Sequence, residues 1–295
     1  MKQQETRVEM DHELRVMSFN IRNGQSGDCQ ENGWGLRAQM VAGMIRFHRP
    51  DLVGLQEVLV NQVEDLQKLL PAYTFVGVGR DDGVRQGEFV SILYLKERFD
   101  ALESGSFWLS EQPDEAGSMG WDAACTRVTT WVKLRDRRSG TVFVHLNTHF
   151  DHVGALAVEK SAYLLRERAA HLAGSYPVLV TGDFNFTSSS SAYPVLCGIT
   201  DKDGLRLKDA AEAADYKHFG PTFTFHGFET GEVAAQLFPD HCKNEQMQGL
   251  EFDAPIDFIF VDEQVQVRCY GIISDHHVGR FPSDHFPIVA DITWG

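Results

Sequence analysis

The amino-acid sequence predicts an α/β fold in which two β-sheets pack against each other and helices lie on the outside. Short apolar runs rich in β-branched residues recur along the chain and are bounded by Gly, Asp or Asn, which is typical of strands. These runs are densest in the middle, from about 73 to 150. Helical spacing alternates with strands on both sides of that middle, and a sandwich of two sheets with outer helices satisfies this order.

The predicted strands are short apolar runs that end at a polar or turn-forming residue. Runs of this length fit strands better than helices, which need about 10 to 12 residues. The clearest of them lie at 14–20, 52–56, 89–95, 128–134, 142–148, 178–181, 256–261 and 286–292.

The predicted helices show apolar residues about one helical turn apart. The first contains Leu36, Met40, Met44 and Phe47 and ends near Pro50. A proline or glycine also follows each of the others, as expected where a helix ends. The three helical segments lie at 36–47, 63–70 and 156–172, with the stop signals Pro50, Pro71 and Gly174.

The chain is expected to fold as one domain. Its 295 residues suffice for one large domain and contain no internal repeat, low-complexity tract or long linker. We expect 1–13 to be a flexible N-terminal segment and 14–295 to form the domain. Within it, 229–253 has little periodicity and is predicted to be a long loop or insertion.

The sequence carries no signal for secretion or membrane insertion. The first 15 residues are polar, which argues against a signal peptide. No apolar run approaches the ~20 residues that span a bilayer. The five cysteines are odd in number and include no CxxC, so neither a disulfide framework nor a structural zinc site is indicated. We therefore expect a cytoplasmic protein with no membrane partner.

The charge balance bears on the kind of partner. The formal net charge is −15, from 27 basic and 42 acidic residues. Proteins that bind long nucleic acids usually present a basic face, because backbone phosphates dominate that affinity. The charge therefore counts, weakly, against tight binding to a duplex and leaves a small ligand or a short nucleic acid as the expected partner. No protein partner is evident.

Polar side chains repeatedly follow apolar strands, at the point where each strand ends. Strand ends hold side chains on a rigid frame where several of them converge. The set contains acids, amides and imidazoles, but no Ser-His nucleophile motif and no Walker loop. Oxygen ligands with water suit Mg²⁺, so the set indicates metal-assisted attack by water on phosphorus. Its members are Asn20, Glu57, Asn147, His149, Asp183, Asn185, Asp257, Asp284 and His285.

Six motifs together resemble the endonuclease/exonuclease/phosphatase superfamily, which has the DNase I-like fold. They follow the family's order and span nearly the whole chain. The motifs are Ser-Phe-Asn-Ile-Arg at 18–22, Leu-Gln-Glu-Val at 55–58, Asn-Thr-His-Phe-Asp-His at 147–152, Gly-Asp-Phe-Asn at 182–185, Ile-Asp-Phe-Ile-Phe at 256–260 and Ser-Asp-His-Phe-Pro at 283–287.

A narrower likeness is to the bacterial branch near the deadenylase and nocturnin enzymes. Phe-Trp-Leu-Ser at 107–110, Gly-Trp-Asp-Ala-Ala at 120–124 and Thr-Phe-His-Gly-Phe at 224–228 resemble that branch. The resemblance implies a four-layer α/β/β/α sandwich, with two mostly antiparallel sheets face to face and helices on each outer side. It also implies a metal-dependent phosphoric ester hydrolase.

The resemblance assigns the metal ligands. Glu57 is expected to be the principal ligand of Mg²⁺ or Mn²⁺, with Asn20 beside it. Asp284 is expected to be an outer partner of the metal or of its water.

The resemblance also assigns the catalytic groups. Asp183 is expected to align or deprotonate the attacking water, and Asn185 to help hold the phosphate. Asp257 is expected to hydrogen-bond His285 and fix its tautomer. His149 and His285 would contact the phosphoryl oxygens, where negative charge must be stabilised in the transition state. Whether Asp183 or a histidine accepts the proton stays open at this point.

Five further residues are candidates for binding the substrate. Arg127 would clamp a phosphate, unless it forms an ordinary surface ion pair. Trp121, Tyr94 and His226 would line the cleft and stack on a base or sugar ring, the alternative being that they pack in the core or in loops. Asn147, at the end of its strand, would add a polar contact.

Three functions are compatible with these observations. The first is hydrolysis of a phosphodiester or phosphomonoester in a small phosphorylated metabolite, sugar or nucleotide, which the acidic charge favours. The second is a nuclease, either a single-strand 3′ exonuclease or an endonuclease. The third is a catalytically silent binding protein, which nothing supports because the expected acidic and histidine positions are filled. A glycosidase with paired carboxylates would leave the histidines and asparagines without a role.

Overall fold

The computed structural model describes residues 13–25, 30–200, 204–228 and 254–294 of the chain. The predicted N-terminal segment 1–13, except Glu13, and the predicted loop 229–253 lie outside the described residues. The division into a tail and one domain therefore stays a prediction.

The described part of the chain contains thirteen strands in two sheets. The first sheet has the order β10-β12-β13-β1-β2-β4-β3, and the second has the order β5-β6-β7-β8-β11-β9. The strands are β1 (Leu14–Asn20), β2 (Leu52–Val58), β3 (Tyr73–Val76), β4 (Phe89–Leu95), β5 (Phe99–Trp108), β6 (Val128–Asp136), β7 (Val142–His149), β8 (Val178–Asp183), β9 (Leu207–Asp209), β10 (Tyr216–Lys217), β11 (Asp257–Asp262), β12 (Val265–Ile272) and β13 (Ile288–Trp294).

Three longer helices and two short ones accompany the strands. The three predicted helical segments are confirmed, and each ends close to its stop signal. The helices are α1 (Trp34–His48), α2 (Val60–Leu69), α3 (Ala155–Ala173), α4 (Ala192–Leu196) and α5 (Ala210–Ala213). Among the described residues, no helix is both long and apolar enough to cross a membrane.

The sandwich is mostly antiparallel, as predicted. Parallel pairing is confined to β1 with β2, β7 with β8, and β10 with β12. A parallel pair needs a long crossover connection, usually a helix. Helix α1 makes that crossover between β1 and β2, and α3 makes it between β7 and β8. These crossovers place the helices on the outer faces of the sheets.

Three apolar layers hold the four structural layers together. An inner cluster, which includes Ile92, Phe143 and Ile259, fills the space between the two sheets. A second cluster packs α1 and α2 onto the first sheet, and a third packs α3 onto the second sheet. The predicted α/β/β/α arrangement is therefore confirmed.

Strand β7 shows how the inner face changes from apolar to polar. Alternate residues of a strand point to the same face, so Phe143, His145, Asn147 and His149 all face the other sheet. Phe143 belongs to the inner apolar cluster, whereas the next three residues are polar and buried. The candidate catalytic side chains lie at the polar end of this face.

Asn147 links the two sheets. Its Nδ2 donates to Leu55 O and Ser91 O, both at 2.9 Å, and its Oδ1 accepts from Gln56 Nε2 at 2.7 Å. The sheets approach closely here: a Cβ on Gly54 would lie 2.5 Å from Asn147 Oδ1. Only glycine allows this spacing, so Gly54 and Asn147 together set the distance between the sheets beneath the site.

His145 is expected to make the protein less stable in acid. It is fully buried and its Nε2 pairs with Thr181 Oγ1 at 2.9 Å. Burial lowers its pKa to about 3, so the folded state keeps it neutral while the unfolded state is protonated below about pH 6.5. Stability is therefore lost as the pH falls below 6.5, by about 2 kcal/mol from this residue between pH 7 and pH 5.

Denaturant unfolding of the His145→Gln variant at both pH values checks this prediction. The loss of unfolding free energy between pH 7 and pH 5 should be about 2 kcal/mol smaller than in the wild type. His171, exposed near the end of α3, supplies the control, because His171→Gln should keep the wild-type pH dependence. An unchanged dependence in His145→Gln would contradict a buried neutral imidazole.

Candidate active site

Three adjacent strands bring three candidate residues into one row. His149 at the end of β7 is in register with Asp183 at the end of β8, and Asp183 is in register with Asp257 at the start of β11. His149 Nε2 lies 3.6 Å from Asp183 Oδ2. The row follows directly from the pairing of the strands, so the sheet itself positions these side chains.

His285 completes the row from the segment before β13. Its Nδ1 donates to Asp257 Oδ2 at 2.8 Å, and its Nε2 lies 3.8 Å from Asp183 Oδ2. Burial lowers the pKa of His285, but the Asp257 carboxylate outweighs burial and raises the pKa to about 10. His285 is therefore a buried imidazolium at neutral pH, oriented by Asp257 towards Asp183.

Asp183 lies at the centre of the site. Its Oδ1 accepts from the Asn185 backbone N–H at 3.0 Å, and its Oδ2 accepts from Asn20 Nδ2 at 2.9 Å. Burial and the Asp257 carboxylate raise the pKa of Asp183 to about 7. A carboxylate with a pKa near neutrality is well suited to accept a proton.

Asn185 is held in the left-handed region, with φ of 51°. Its Nδ2 donates to Phe150 O at 2.9 Å. The backbone conformation and this hydrogen bond fix the amide beside Asp183.

Glu57 enters the site from a β-bulge. The register between β2 and β4 shifts between Leu55 and Val58, and Glu57 has a φ of 61°. A bulge adds a residue to one strand and redirects its side chain, and such backbone strain is common at functional sites. Here it directs the carboxylate of Glu57 to the polar end of the sandwich, where it is partly exposed.

Hydrogen bonds connect Glu57 to both sheets. Asn20 Nδ2 donates to Glu57 Oε1 at 3.0 Å as well as to Asp183, and the Asn23 backbone N–H donates to Glu57 Oε2 at 3.1 Å. Burial raises the pKa of Glu57, but the charge of Arg22 and the hydrogen bond from Asn20 outweigh it, so the pKa lies below its usual value. Glu57 is thus held as an anion.

The donor set fits a hard divalent cation. Asp183 and Asp257 offer carboxylate oxygens that lie within 4.8 Å of each other and of a ring nitrogen of His285. Glu57 adds a partly exposed carboxylate that Asn20 links to Asp183. Oxygen-rich sets of this kind suit Mg²⁺ or Mn²⁺, which take only one or two carboxylates from the protein.

Asn20 and Asp284 have contacts that affect their predicted metal role. Asn20 Oδ1 accepts from the Arg22 backbone N–H at 3.0 Å, while its Nδ2 bridges two carboxylates. Asp284 is buried, and its Oδ2 lies 3.4 Å from Arg22 Nε. In this arrangement Asn20 orients Glu57 and Asp183, and Asp284 pairs with Arg22, so the metal roles of Asn20 and Asp284 stay predictions.

A basic group borders His149. Arg127 is buried; its Nε lies 3.4 Å from Asp151 Oδ1 and its Nη2 is 2.8 Å from His152 Nδ1. Arg127 Nη1 is buried and has no hydrogen-bond partner among the described residues. Burial, together with the charges of Arg127 and Arg80, lowers the pKa of His149 well below its usual value. His149 is therefore neutral, and Arg127 has a donor available for an anion.

Three of the predicted substrate-binding residues lie in the interior. Asn147 uses its amide between the sheets, as described above. Tyr94 is buried in the inner apolar cluster, edge-on to Phe99. His226 is fully buried and its ring stacks on that of Phe286, with 4.2 Å between the ring centroids. Asn147 uses its polar groups inside the fold and the rings of Tyr94 and His226 pack against aromatic neighbours, so their assignment to substrate binding stays a prediction.

Trp121 lies in the loop before β6. Its backbone N–H donates to Glu111, and its neighbour Asp122 accepts from backbone N–H groups at the start of α3. Trp121 is partly exposed, with a φ of 54°. It therefore lies on the surface near the 151–154 segment, and its role in binding stays a prediction.

Three residues near the site were not predicted from the sequence. Asn23 Nδ2 donates to Glu88 Oε1 at 2.8 Å, and Arg80 pairs with Glu88. Burial and the nearby Glu57 carboxylate raise the pKa of Glu88. Arg80 and Glu88 lie outside any strand motif, so no sequence signal could have found them.

Comparison with known proteins agrees with this geometry. The sequence model of the Endonuclease/Exonuclease/phosphatase family matches residues 17–285. The chain belongs to this family. A family member from Bacteroides vulgatus has a solved structure that is 39% identical, with a TM-score of 0.83, over 96% of this chain and 99% of that one.

Two other relatives carry functional names. A mannosyl-6-phosphatase from Bacteroides thetaiotaomicron is 33% identical, with a TM-score of 0.81, over 95% of this chain and 100% of that one. Nocturnin of Drosophila melanogaster is 25% identical over 95% of this chain and 46% of that protein. The chain thus spans about half the length of this curated relative.

Members of the Endonuclease/Exonuclease/phosphatase family are divalent-metal-dependent hydrolases of phosphate esters. Within the described residues, the side chains of Glu57, His149, Asp183, Asp257 and His285 lie together at one end of the sandwich.

Proposed function

We propose that the chain hydrolyses the phosphate ester of a small phosphorylated metabolite, using Mg²⁺ or Mn²⁺ and an activated water. The observation that carries the proposal is the row His149–Asp183–Asp257, with His285 hydrogen-bonded to Asp257 and Asn20 joining Asp183 to Glu57. These residues come from both sheets and converge at one place.

The metal ion, Asp183 and Asn185 have separate roles in the reaction. A bound divalent ion supplies positive charge that neutralises the phosphoryl oxygens. Asp183 holds the water and accepts its proton, because its carboxylate lies at the centre of the row, 3.6 Å from His149 and 3.8 Å from His285. Asn185 fixes the Asp183 carboxylate through its backbone N–H.

The two histidines act in different protonation states. His285 is a cation that stabilises the charge developing on the phosphoryl oxygens. His149 is neutral, so one ring nitrogen carries a proton and donates a hydrogen bond to a phosphoryl oxygen. Active sites often hold two similar groups in different environments, which give them different pKa values and so let one act as an acid and the other as a base. Arg127 Nη1 supplies a further donor to a phosphate oxygen.

A small substrate is favoured by two observations. The formal charge of −15 disfavours long nucleic acids. A protein that is 33% identical over nearly the whole chain is named a mannosyl-6-phosphatase. These observations favour a phosphorylated sugar or a similar metabolite over a polymer.

A substrate panel tests the proposal. Purified protein is assayed with Mg²⁺ or Mn²⁺ on sugar phosphates, nucleotides and bis-4-nitrophenyl phosphate, and in parallel on labelled single-stranded RNA and DNA. We expect turnover of small esters that chelation abolishes. Rapid cleavage of oligonucleotides with no turnover of any small ester would instead establish a nuclease.

Glu57→Gln is expected to raise the metal concentration needed for half-maximal activity. Altering even an outer partner of a metal ligand costs about 10- to 100-fold in affinity, so loss of the ligand's charge should cost no less. Metal titration of the initial rate measures the effect. Glu167→Gln, on the exposed face of α3, is the control and should match the wild type. An unchanged metal requirement in Glu57→Gln would remove Glu57 from the ligands.

A further inference from the structure

A cavity of about 230 Å³ opens beside the catalytic row. Its volume falls just below the range of roughly 300–1,000 Å³ that is typical for drug-sized ligands. Asn185, whose backbone N–H binds Asp183, lines one side of it, and His152 lines another. The cavity therefore adjoins the position where the phosphate is expected.

His152 is fixed in one tautomer by Arg127. A guanidinium has only N–H donors, so His152 Nδ1, at 2.8 Å from Arg127 Nη2, must accept. The proton of the neutral ring is then on Nε2. This atom is the only other polar group of the side chain, and His152 lines the cavity, so Nε2–H is the donor that the side chain can offer to a ligand there.

The loop that carries His152 is rigid. Asp151 accepts from the backbone N–H groups of Val153 and Gly154 at 3.0 and 2.8 Å, and it also pairs with Arg127. Asp151 thus holds both the backbone of the loop and the guanidinium that orients His152. A donor held in this way is pre-organised for a ligand.

The rest of the cavity wall combines hydroxyl and apolar groups. Ser190 and Ser191 contribute hydroxyls, while Val153, Val158 and Phe186 contribute apolar surface. Asn185 Nδ2 donates to Phe150 O, so Oδ1 of the same amide can accept a hydrogen bond from a ligand. Donors, acceptors and apolar surface in one small cavity suit a polyhydroxylated ring, which has hydroxyls at its edge and C–H groups on its faces.

We propose that this cavity binds the uncharged polyol portion of the substrate, a hexose-sized ring, and that His152 is a specificity-determining residue that donates Nε2–H to a substrate hydroxyl. The inference rests on the proposed function and adds the substrate class. A phosphoryl contact from His152 is the competing arrangement, and the two predict different effects on different substrates.

The test compares two phosphomonoesters that share a phosphate but differ in the alcohol. In His152→Ala, we expect the KM for mannose 6-phosphate to rise about 5- to 10-fold, as for the loss of one hydrogen bond. Its kcat should change less than its KM, and the KM for 4-nitrophenyl phosphate should rise less than that for mannose 6-phosphate, because Arg127 loses its contact with His152 whichever ester is bound. Free mannose should inhibit the wild type competitively and His152→Ala more weakly.

A second substitution separates lost recognition from lost folding. His152→Gln keeps an N–H donor on a side chain of similar reach, so it should recover part of the affinity for mannose 6-phosphate. His171→Ala, an exposed histidine of α3, is the matched control and should behave as wild type. Thermal unfolding shows whether each variant is folded.

The outcomes distinguish this inference from the proposed function. Equal losses on both esters would place His152 on the phosphate and overturn the inference, as would an unchanged KM for mannose 6-phosphate. Turnover of the aryl ester with none of the sugar ester by the wild type would also overturn it while leaving a phosphoesterase. A wild type that hydrolyses neither ester would overturn the proposed function itself.

Discussion

Replacing Asp183 with Asn is expected to lower kcat by about 10²–10⁴-fold, the usual contribution of a general base. The amide has nearly the shape of the carboxylate, and its oxygen can still accept from the Asn185 backbone N–H. It cannot accept a proton at neutral pH, and it offers an N–H group where Asn20 Nδ2 now donates. Initial rates at saturating substrate and metal measure the loss.

The stability of the same variant should not fall. Burial and Asp257 raise the pKa of Asp183 to about 7, so the folded state holds this proton more tightly than the unfolded state. Stability is then lost as the pH rises from about 4 through 7, because the carboxylate must ionise in a buried position. At pH 8 without metal, Asp183→Asn should unfold at a temperature no lower than the wild type.

Asp114→Asn serves as the control for this experiment. Asp114 is exposed and pairs with Arg168, and an exposed pair contributes little to stability. Its substitution should change neither kcat nor the unfolding temperature appreciably. A reduction of less than about tenfold in Asp183→Asn would show that another group, such as a histidine, accepts the proton.

Replacing His285 with Ala is expected to have the second large effect, a fall in kcat of about 10²–10⁴-fold. The substitution removes a buried cation that faces Asp183 at 3.8 Å. It also leaves Asp257 buried without its partner, and breaking a buried pair in this way costs about 3–5 kcal/mol of stability. Kinetic assays and denaturant unfolding should therefore both show a loss.

His285→Asn separates the two losses. Its side-chain amide can donate to Asp257 near the position of the His285 Nδ1 atom, but it carries no charge and does not extend towards Asp183. We expect it to recover much of the stability and little of the activity. His277→Ala, exposed in the segment before β13, is the control. Activity of His285→Asn near the wild-type level would show that the charge of His285 is not needed.

The order of apolar and polar residues along the sequence was sufficient to predict the strands and helices that position the site. Apolar strands that end in a polar residue predicted where His149 and Asp183 lie, because strand pairing alone aligns them. The three helices followed from their apolar spacing and their stop signals. These features depend on local sequence, so they can be predicted without a structure.

The parts that were missed depend on contacts between distant segments. The bulge at Glu57 has a left-handed φ, which no residue type at that position reveals. Tyr94 and Asn147 have polar groups yet face the interior, because the packing of the opposite sheet decides which face of a strand is buried. The tautomer of His152 depends on Arg127, 25 residues earlier.

Asn20 donates to a carboxylate of each sheet, to Glu57 on the first and to Asp183 on the second. The catalytic arrangement therefore exists only while the two halves of the sandwich are docked. Turnover therefore reports that the two sheets are packed against each other, which a hydrogen-bond signal from either sheet alone does not.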